Sequence, residues 1–304
     1  MDTTAMLIDV AILTPIIAVV GILAFSKKPN LREAISLIAG VTLLAINLKL
    51  YSSFNHGEVL SRQWLEILPG LNLSFRVDAL GLLFGLVASL LWPVTTLYAI
   101  GYMRGHNEDH QTRFYACFAI AAVMAIAYAE NLFTLFIFYE VLSLCTYPLV
   151  THAGTEKAKK GGRVYLGILM GTSIAFFLPA IIITWLVAGT LDFQQGGIFP
   201  EQTPIALLSL LLVLFVFGVA KAAVMPFHRW LPAAMVAPTP VSALLHAVAV
   251  VKAGVFSLIK ILVFIFGLDT LQQIPVSDYL LYLAGAGVVL ASLIAMRQDN
   301  LKAR

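Results

Sequence analysis

Residues 221–254 read KAAVMPFHRWLPAAMVAPTPVSALLHAVAVVKAG. Lys221, His246 and Lys252 sit there inside otherwise apolar sequence, and Pro226, Pro232, Pro238 and Pro240 interrupt it. A charged side chain at bilayer depth costs about 3 kcal/mol or more, so such a group is kept only with a partner or a watered path. Proline cannot continue a helix, and non-helical backbone at that depth is tolerated only inside protein or beside a cavity. The stretch therefore predicts a broken helix next to buried charge, which is an arrangement of transporters.

The rest of the chain supports a membrane setting. Of 304 residues, 60% are hydrophobic and 12% charged, with a mean hydropathy of +0.93. The formal charge of +3 is small and forms no patch suited to nucleic acid. Cys117 and Cys145 fall in apolar runs with no CxxC spacing, and read as buried reduced thiols. The apolar run 6–25 lacks a basic leader and carries Asp2 and Asp9 nearby, so it is expected to be the first permanent span.

A span needs roughly 20 apolar residues, and the runs divide into nine: 6–25, 33–52, 79–101, 113–129, 131–151, 163–189, 205–225, 240–267 and 278–296. The expected fold is an all-α polytopic transmembrane bundle with a broken seventh helix. Segment 54–78 reads as an extramembrane loop with a short hairpin, and 190–204 as a second loop. Loops after odd-numbered spans hold most of the 19 basic residues, from Lys27, Lys28 and Arg32 through Arg104 and Arg113 to Lys157, Lys159, Lys160, Arg163 and Arg229. The positive-inside rule then puts the N-terminus outside and the C-terminus in the cytoplasm. The ending RQDNLKAR reads as a polypeptide cut at a loop or a subunit that needs another to cover it.

Glu140 lies mid-span in NLFTLFIFYEVLSLCTYPLV with no cation within a helical turn. A partner for its carboxylate must come from another helix, and Lys221 is the expected one. A lysine beside a movable carboxylate is a proton-loading switch, while a fixed ion pair stapling two helices is the other reading. His246 shares a helix face with Ser242 and suits a relay, or else bonds a backbone carbonyl as a neutral ring. Lys252 is six residues on, about 9 Å at 1.5 Å per residue, so a line Lys221, His246, Lys252 requires water between its members. Lys260 is expected to snorkel to the outer interface, with a role as exit residue kept open. His228 and Arg229 line an inlet or face headgroups. Glu130 is expected to be solvated, and Asp78 to cap a helix. No motif for nucleotide, haem, iron–sulfur or zinc occurs, so no cofactor or metal is expected. Covalent enzyme chemistry is not expected within this chain, and the chain reads as a transporter component rather than a catalyst.

PFHRWLPAAMVAPTPVSALLHAVAVVKAG, together with FRVDALGLLF, GYMRGH, the Glu140 span and RQDNLK, resembles the antiporter-like subunits of respiratory complex I and of Mrp-type multisubunit cation/proton antiporters. TRFYACFA and Lys252 in VVKAG resemble the D-type component of the Mrp antiporters more than the largest complex I component. The resemblance implies proton translocation through Glu140, Lys221, His246 and Lys252, at most as part of a redox-coupled translocase in the complex I case; on the residues alone, Lys260, His228 and Ser242 are accessory candidates. It also implies sodium as the exchanged cation, other membrane subunits as partners, and a bacterial inner-membrane location. The family is built from inverted repeats, so the resemblance divides the chain into N-terminal helices (1–112), a five-helix proton-channel repeat (113–267) and the start of a second repeat (268–304). Ala222, Ala223 and Val224 stand where the family usually has polar residues. Alternatives are a proton-pumping subunit of NADH:quinone oxidoreductase or of a membrane-bound hydrogenase, and a half-length scaffold that does not transport.

Overall fold

The computed structural model describes residues 5–104, 109–302 and 304; Asp2, and His106 of the GYMRGH motif, lie outside them. Among the described residues, thirteen α-helices and one hairpin follow in order. Helices α1 (Met6–Ala24) and α2 (Pro29–Asn55) lead into strands β1 (Ser61–Leu68) and β2 (Leu71–Arg76). Next come α3 (Ala79–Met103), α4 (Asp109–Ala127), α5 (Leu132–Val150), α6 (Glu156–Thr172) and α7 (Leu178–Ala188). After them lie α8 (Ile205–Gly218), the short α9 (Trp230–Ala233) and α10 (Thr239–Ala243), then α11 (Val250–Ile261), α12 (Leu268–Gln273) and α13 (Val276–Met296).

Seven continuous helical stretches among the described residues are long and apolar enough to cross a bilayer: Met6–Ala24, Pro29–Asn55, Ala79–Met103, Leu132–Val150, Glu156–Ala188, Thr239–Phe266 and Val276–Met296. The fourth and seventh of the nine apolar runs form shorter helices, Arg113–Ala127 and Ile205–Gly218. Two of the long stretches are interrupted by wide turns, in which an N–H reaches back five residues. Leu178 N–H reaches Ser173 in the first, and Ala249 N–H reaches Leu244 and Gly267 N–H reaches Leu262 in the second. Such turns insert one residue into a helix and frequently occur at functional sites.

Helix α4 is the centre. Its residues Ala119–Ala127 are all buried, as expected of a sequence apolar on every side, and α1 and α5 pack against it. Helix α13 is the opposite case, with none of its residues buried within the chain. The segment 54–78 does form an antiparallel hairpin, β1 with β2. Asp9 of α1 pins it, accepting from Arg62 Nε at 2.9 Å and Trp64 Nε1 at 2.7 Å.

The hairpin, the α4–α5 turn and the loop after α7 are stitched together by backbone. Arg76 N–H donates to Tyr128 O, Glu130 N–H to Ser74 O, Leu132 N–H to Leu191 O and Phe193 N–H to Glu130 O. Asn131 sits at the junction. It caps α5 by accepting from Thr134 N–H at 2.7 Å, and its amide donates to Asn72 O at 2.8 Å and Ser74 Oγ at 2.9 Å. Losing a cap and two buried hydrogen bonds removes roughly 2–3 kcal/mol. Asn131→Ala should therefore lower the melting temperature of the purified protein in detergent, while the same change at Gln202, an exposed loop residue, should leave it unchanged.

Candidate functional site

Helix α8 stops at Gly218, and the chain crosses residues 219–238 without regular helix longer than a turn. A single tight turn, Ala220–Ala222, carries Lys221; Ala223 then takes the left-handed conformation at φ 58°, uncommon for a residue with a Cβ. The Met225–Pro226 peptide is cis. Trp230 holds the detour against the bundle, its indole donating to Ala220 O at 2.8 Å.

Lys221 is 0% exposed. Its ammonium donates to Tyr139 O at 2.7 Å and Ser143 Oγ at 2.6 Å, both on α5, and lies 3.2 Å from the centroid of the Tyr139 ring. The Tyr139 hydroxyl in turn accepts from the Lys221 backbone N–H at 3.2 Å. Two neutral oxygens and an aromatic face thus hold a buried cation, the ring through its negative quadrupole. Tyr139 O is a helix carbonyl, one whose normal i+4 donor is Ser143, and Ser143 is the second ligand.

Glu140, one residue along α5 from the carbonyl that binds Lys221, is half-buried. One of its oxygens accepts from Ser173 Oγ, and the other, Oε2, is buried without a hydrogen-bond partner. The structure brings Glu140 and Lys221 to the same stretch of α5 but not within ion-pair distance of one another. Sequence reasoning missed both serines. Ser173 stands 33 residues away at the wide turn between α6 and α7, and no local pattern announces it.

His246 lies on the wide turn Leu244–Val248, with Nε2 buried and unpartnered. Ser242, also buried, donates to Ala237 O at 3.4 Å. His228 has a buried, unpartnered Nδ1, and Arg229 is exposed. Lys252 is exposed on the outside of α11, so it does not share the burial of Lys221.

Lys260 differs from the expectation of snorkelling. It is 0% exposed and pairs with Asp78 Oδ2 at 2.8 Å and Ala129 O at 2.8 Å, between the faces of Phe193 and Phe256. The cause is helical phase: Lys260 falls on the stripe of Ala253, Phe256 and Ser257, all buried, whereas Lys252 falls with the exposed Val255 and Ile259. Asp78 does cap α3, accepting from Gly81 N–H at 2.6 Å, and binds Lys260 with its other oxygen. Glu130 is 24% exposed and 3.8 Å from Arg76.

Fold and site together define a polytopic, mostly α-helical integral membrane protein with ionisable side chains buried between its helices. The chain belongs to the NADH:quinone oxidoreductase/Mrp antiporter transmembrane family, whose sequence model matches residues 129–304. It is 33% identical over 266 residues to a probable K(+)/H(+) antiporter A/B subunit of Rhizobium meliloti, covering 84% of this chain and 26% of that one. A putative antiporter subunit mnhA2 of Staphylococcus haemolyticus is 29% identical over 248 residues, covering 79% and 30%. NADH-ubiquinone oxidoreductase chain 5 of Yarrowia lipolytica is 29% identical over 262 residues, covering 84% and 37%. The chain thus spans between 26% and 37% of the length of these relatives. In the structure of the Mrp complex from Dietzia, a chain superposes with a TM-score of 0.80 at 26% identity, over 99% of this chain and 32% of that one. A chain of the archaeal membrane-bound sulfane sulfur reductase, 21% identical, shares the fold with a TM-score of 0.82. These likenesses establish the family and do not separate the D-type from the A-type Mrp component.

Gly254 of α11 makes the lysine site possible. A Cβ there would overlap the backbone of Lys221 and Ala222, whereas one at Gly167 would meet nothing within 4 Å. Overpacking a tight contact costs about 1–3 kcal/mol. Gly254→Ala should lower the melting temperature in detergent, and Gly167→Ala should not.

Proposed function

We propose that this chain is the proton-translocating part of a multisubunit monovalent cation/proton antiporter of the bacterial inner membrane, working alongside other membrane subunits. One observation carries the reading. Lys221 is a fully buried ammonium at a helix break, held only by neutral oxygens and a ring, with a carboxylate one residue from its carbonyl ligand and one carboxylate oxygen unpartnered. A carboxylate ligand would favour the charged ammonium more strongly than a carbonyl and a hydroxyl do, so Lys221 loses its proton to a distant acceptor at a smaller electrostatic cost.

In this reading Glu140 exchanges its Ser173 bond for approach to Lys221, and so favours the ammonium. Its return to Ser173 favours the neutral amine and passes the proton on. His246, unpartnered at Nε2, and Lys252 receive it across water. The nine apolar segments are nine crossings, with the seventh broken at Lys221, the N-terminus outside and the C-terminus cytoplasmic. Residues 113–267 form the proton-channel repeat, preceded by the N-terminal helices and followed by the start of a second repeat. Sodium is the exchanged cation; the Rhizobium relative carries potassium in its name.

A second reading, a proton-pumping subunit of a quinone oxidoreductase, is favoured by the likeness to chain 5 of Yarrowia. It keeps the same residues and replaces the cation gradient with redox chemistry elsewhere as the driving force. Glu140→Gln separates transport from a scaffold role, because the amide keeps the Ser173 contact and size but not the charge. Cation-driven proton flux in inverted vesicles should fall at least tenfold at an unchanged amount of assembled complex. Wild-type flux would leave only the scaffold.

A further inference from the structure

We propose that Asp78 and Lys260 form a proton port on the hairpin side of the membrane, reached from Lys221 along the buried face of α11 through Ser257. The proposal rests on the proton-translocation reading above and adds a way out of the bundle which that reading does not contain.

The face of α11 is continuous in the required direction. Gly254 lies against the backbone of Lys221 and Ala222. Ser257 is one turn on and Lys260 one turn beyond that, each step about 4.5 Å at 1.5 Å per residue. Both are 0% exposed. Ser257 donates its own hydrogen bond to Ala253 O at 2.7 Å, which leaves its oxygen lone pairs to accept from a neighbour or a water. It is the polar side chain on that stripe between the two buried lysines. Lys252, by contrast, projects from the exposed side of the same helix, away from this line.

The far end of the line meets solvent through a carboxylate. Lys260 is completely buried, but the Asp78 side chain that it touches is 24% exposed. Asp78 divides its duties: Oδ1 caps α3 at Gly81 N–H and Oδ2 takes Lys260. Glu130 and Arg76 stand at the same end of the bundle, 3.8 Å apart, among the hairpin and loop backbone. The pair thus joins a fully buried ammonium to a part-exposed carboxylate, and Ser257 is the hydroxyl one turn away on the buried face of α11.

The transfer conserves charge at each step. An N–H bond of the Lys260 ammonium breaks and an O–H bond forms on Asp78 Oδ2, leaving an amine and a carboxylic acid. Asp78 releases the proton to water on the hairpin side and becomes a carboxylate again. The amine takes a new proton from the Lys221 side, relayed by water and the Ser257 hydroxyl, which gives up one proton as it accepts another. In the opposite transport direction the same steps run in reverse.

The test uses the full-length protein in its assembled complex, with proton flux measured in inverted vesicles and normalised to the amount of complex. The double variant Asp78→Asn/Lys260→Gln keeps the cap, since asparagine caps as well as aspartate, and leaves no unpaired buried charge. Flux should fall at least tenfold. Lys260→Arg preserves the charge and the ion pair but cannot give up its proton; it should assemble normally and lose flux to the same degree, which keeps the proposal testable should the double variant fail to assemble. Ser257→Ala should reduce flux several-fold. Glu140→Gln is measured in parallel. Wild-type flux in Lys260→Arg with none in Glu140→Gln overturns the port and leaves the relay standing. Wild-type flux in both overturns the relay reading, and the port with it.

Discussion

An ammonium group buried inside a membrane protein must find oxygen, and the fully buried Lys221 shows how much structure that need organises. Its ligands, a carbonyl and a hydroxyl of α5, are offered on the α5 surface at Tyr139 and Ser143. To reach them the chain leaves helical geometry after Gly218, turns tightly over Ala220–Ala222 and passes through a left-handed alanine. Helix α11 accommodates the detour only because residue 254 has no side chain. The backbone N–H groups released by the break are recovered in part by Tyr139, whose hydroxyl accepts from Lys221, and the Trp230 indole takes up Ala220 O. Each of these features would be a cost in an ordinary transmembrane helix; here they serve one cation.

The second buried lysine is solved differently. Lys260 has a carboxylate, a carbonyl and two aromatic faces, and it ties α11 to the start of α3 and to the α4–α5 turn. The contrast is chemical. A lysine held by neutral groups is poised to change charge with small movements of a nearby acid, and Glu140, with one bonded and one unpartnered oxygen, is such an acid. A lysine held by its own carboxylate has in that carboxylate a ready acceptor for its proton. A single helix, α11, is packed against one and carries the other.

Much of the architecture was legible in the sequence because it depends on local rules. Apolar runs gave the helices, the polar segment around Trp64, Pro69 and Gly70 gave the hairpin, and Asp78 before an apolar run gave a cap. Burial cost alone singled out Lys221. What sequence did not supply was the rotational phase of apolar helices. Where every position is hydrophobic, the amphipathic signal that orients a soluble helix is missing. Lys252 therefore reads as a member of the buried line and Lys260 as an outer-interface residue, although Lys260 falls on the buried stripe of α11 and Lys252, about 80° away around the helix, falls on its exposed side. The hydrogen-bond partner of Glu140 was illegible for another reason. Ser173 reaches it by way of a wide turn in a neighbouring helix, and a long-range contact to a serine leaves no local trace. The two shorter helices, α4 and α8, also fell short of their hydrophobic runs, because α4 gives way to the turn before Asn131 and α8 to the Lys221 detour.

The central claim is that Lys221 changes its protonation state during transport. Arginine at this position keeps the positive charge and the capacity to donate to Tyr139 O and Ser143 Oγ, yet does not deprotonate in proteins. The decisive measurement is the proton flux of Lys221→Arg per assembled complex in inverted vesicles. The account predicts normal assembly with flux reduced to background. Flux at the wild-type rate would show that Lys221 is a fixed positive charge, and would contradict it.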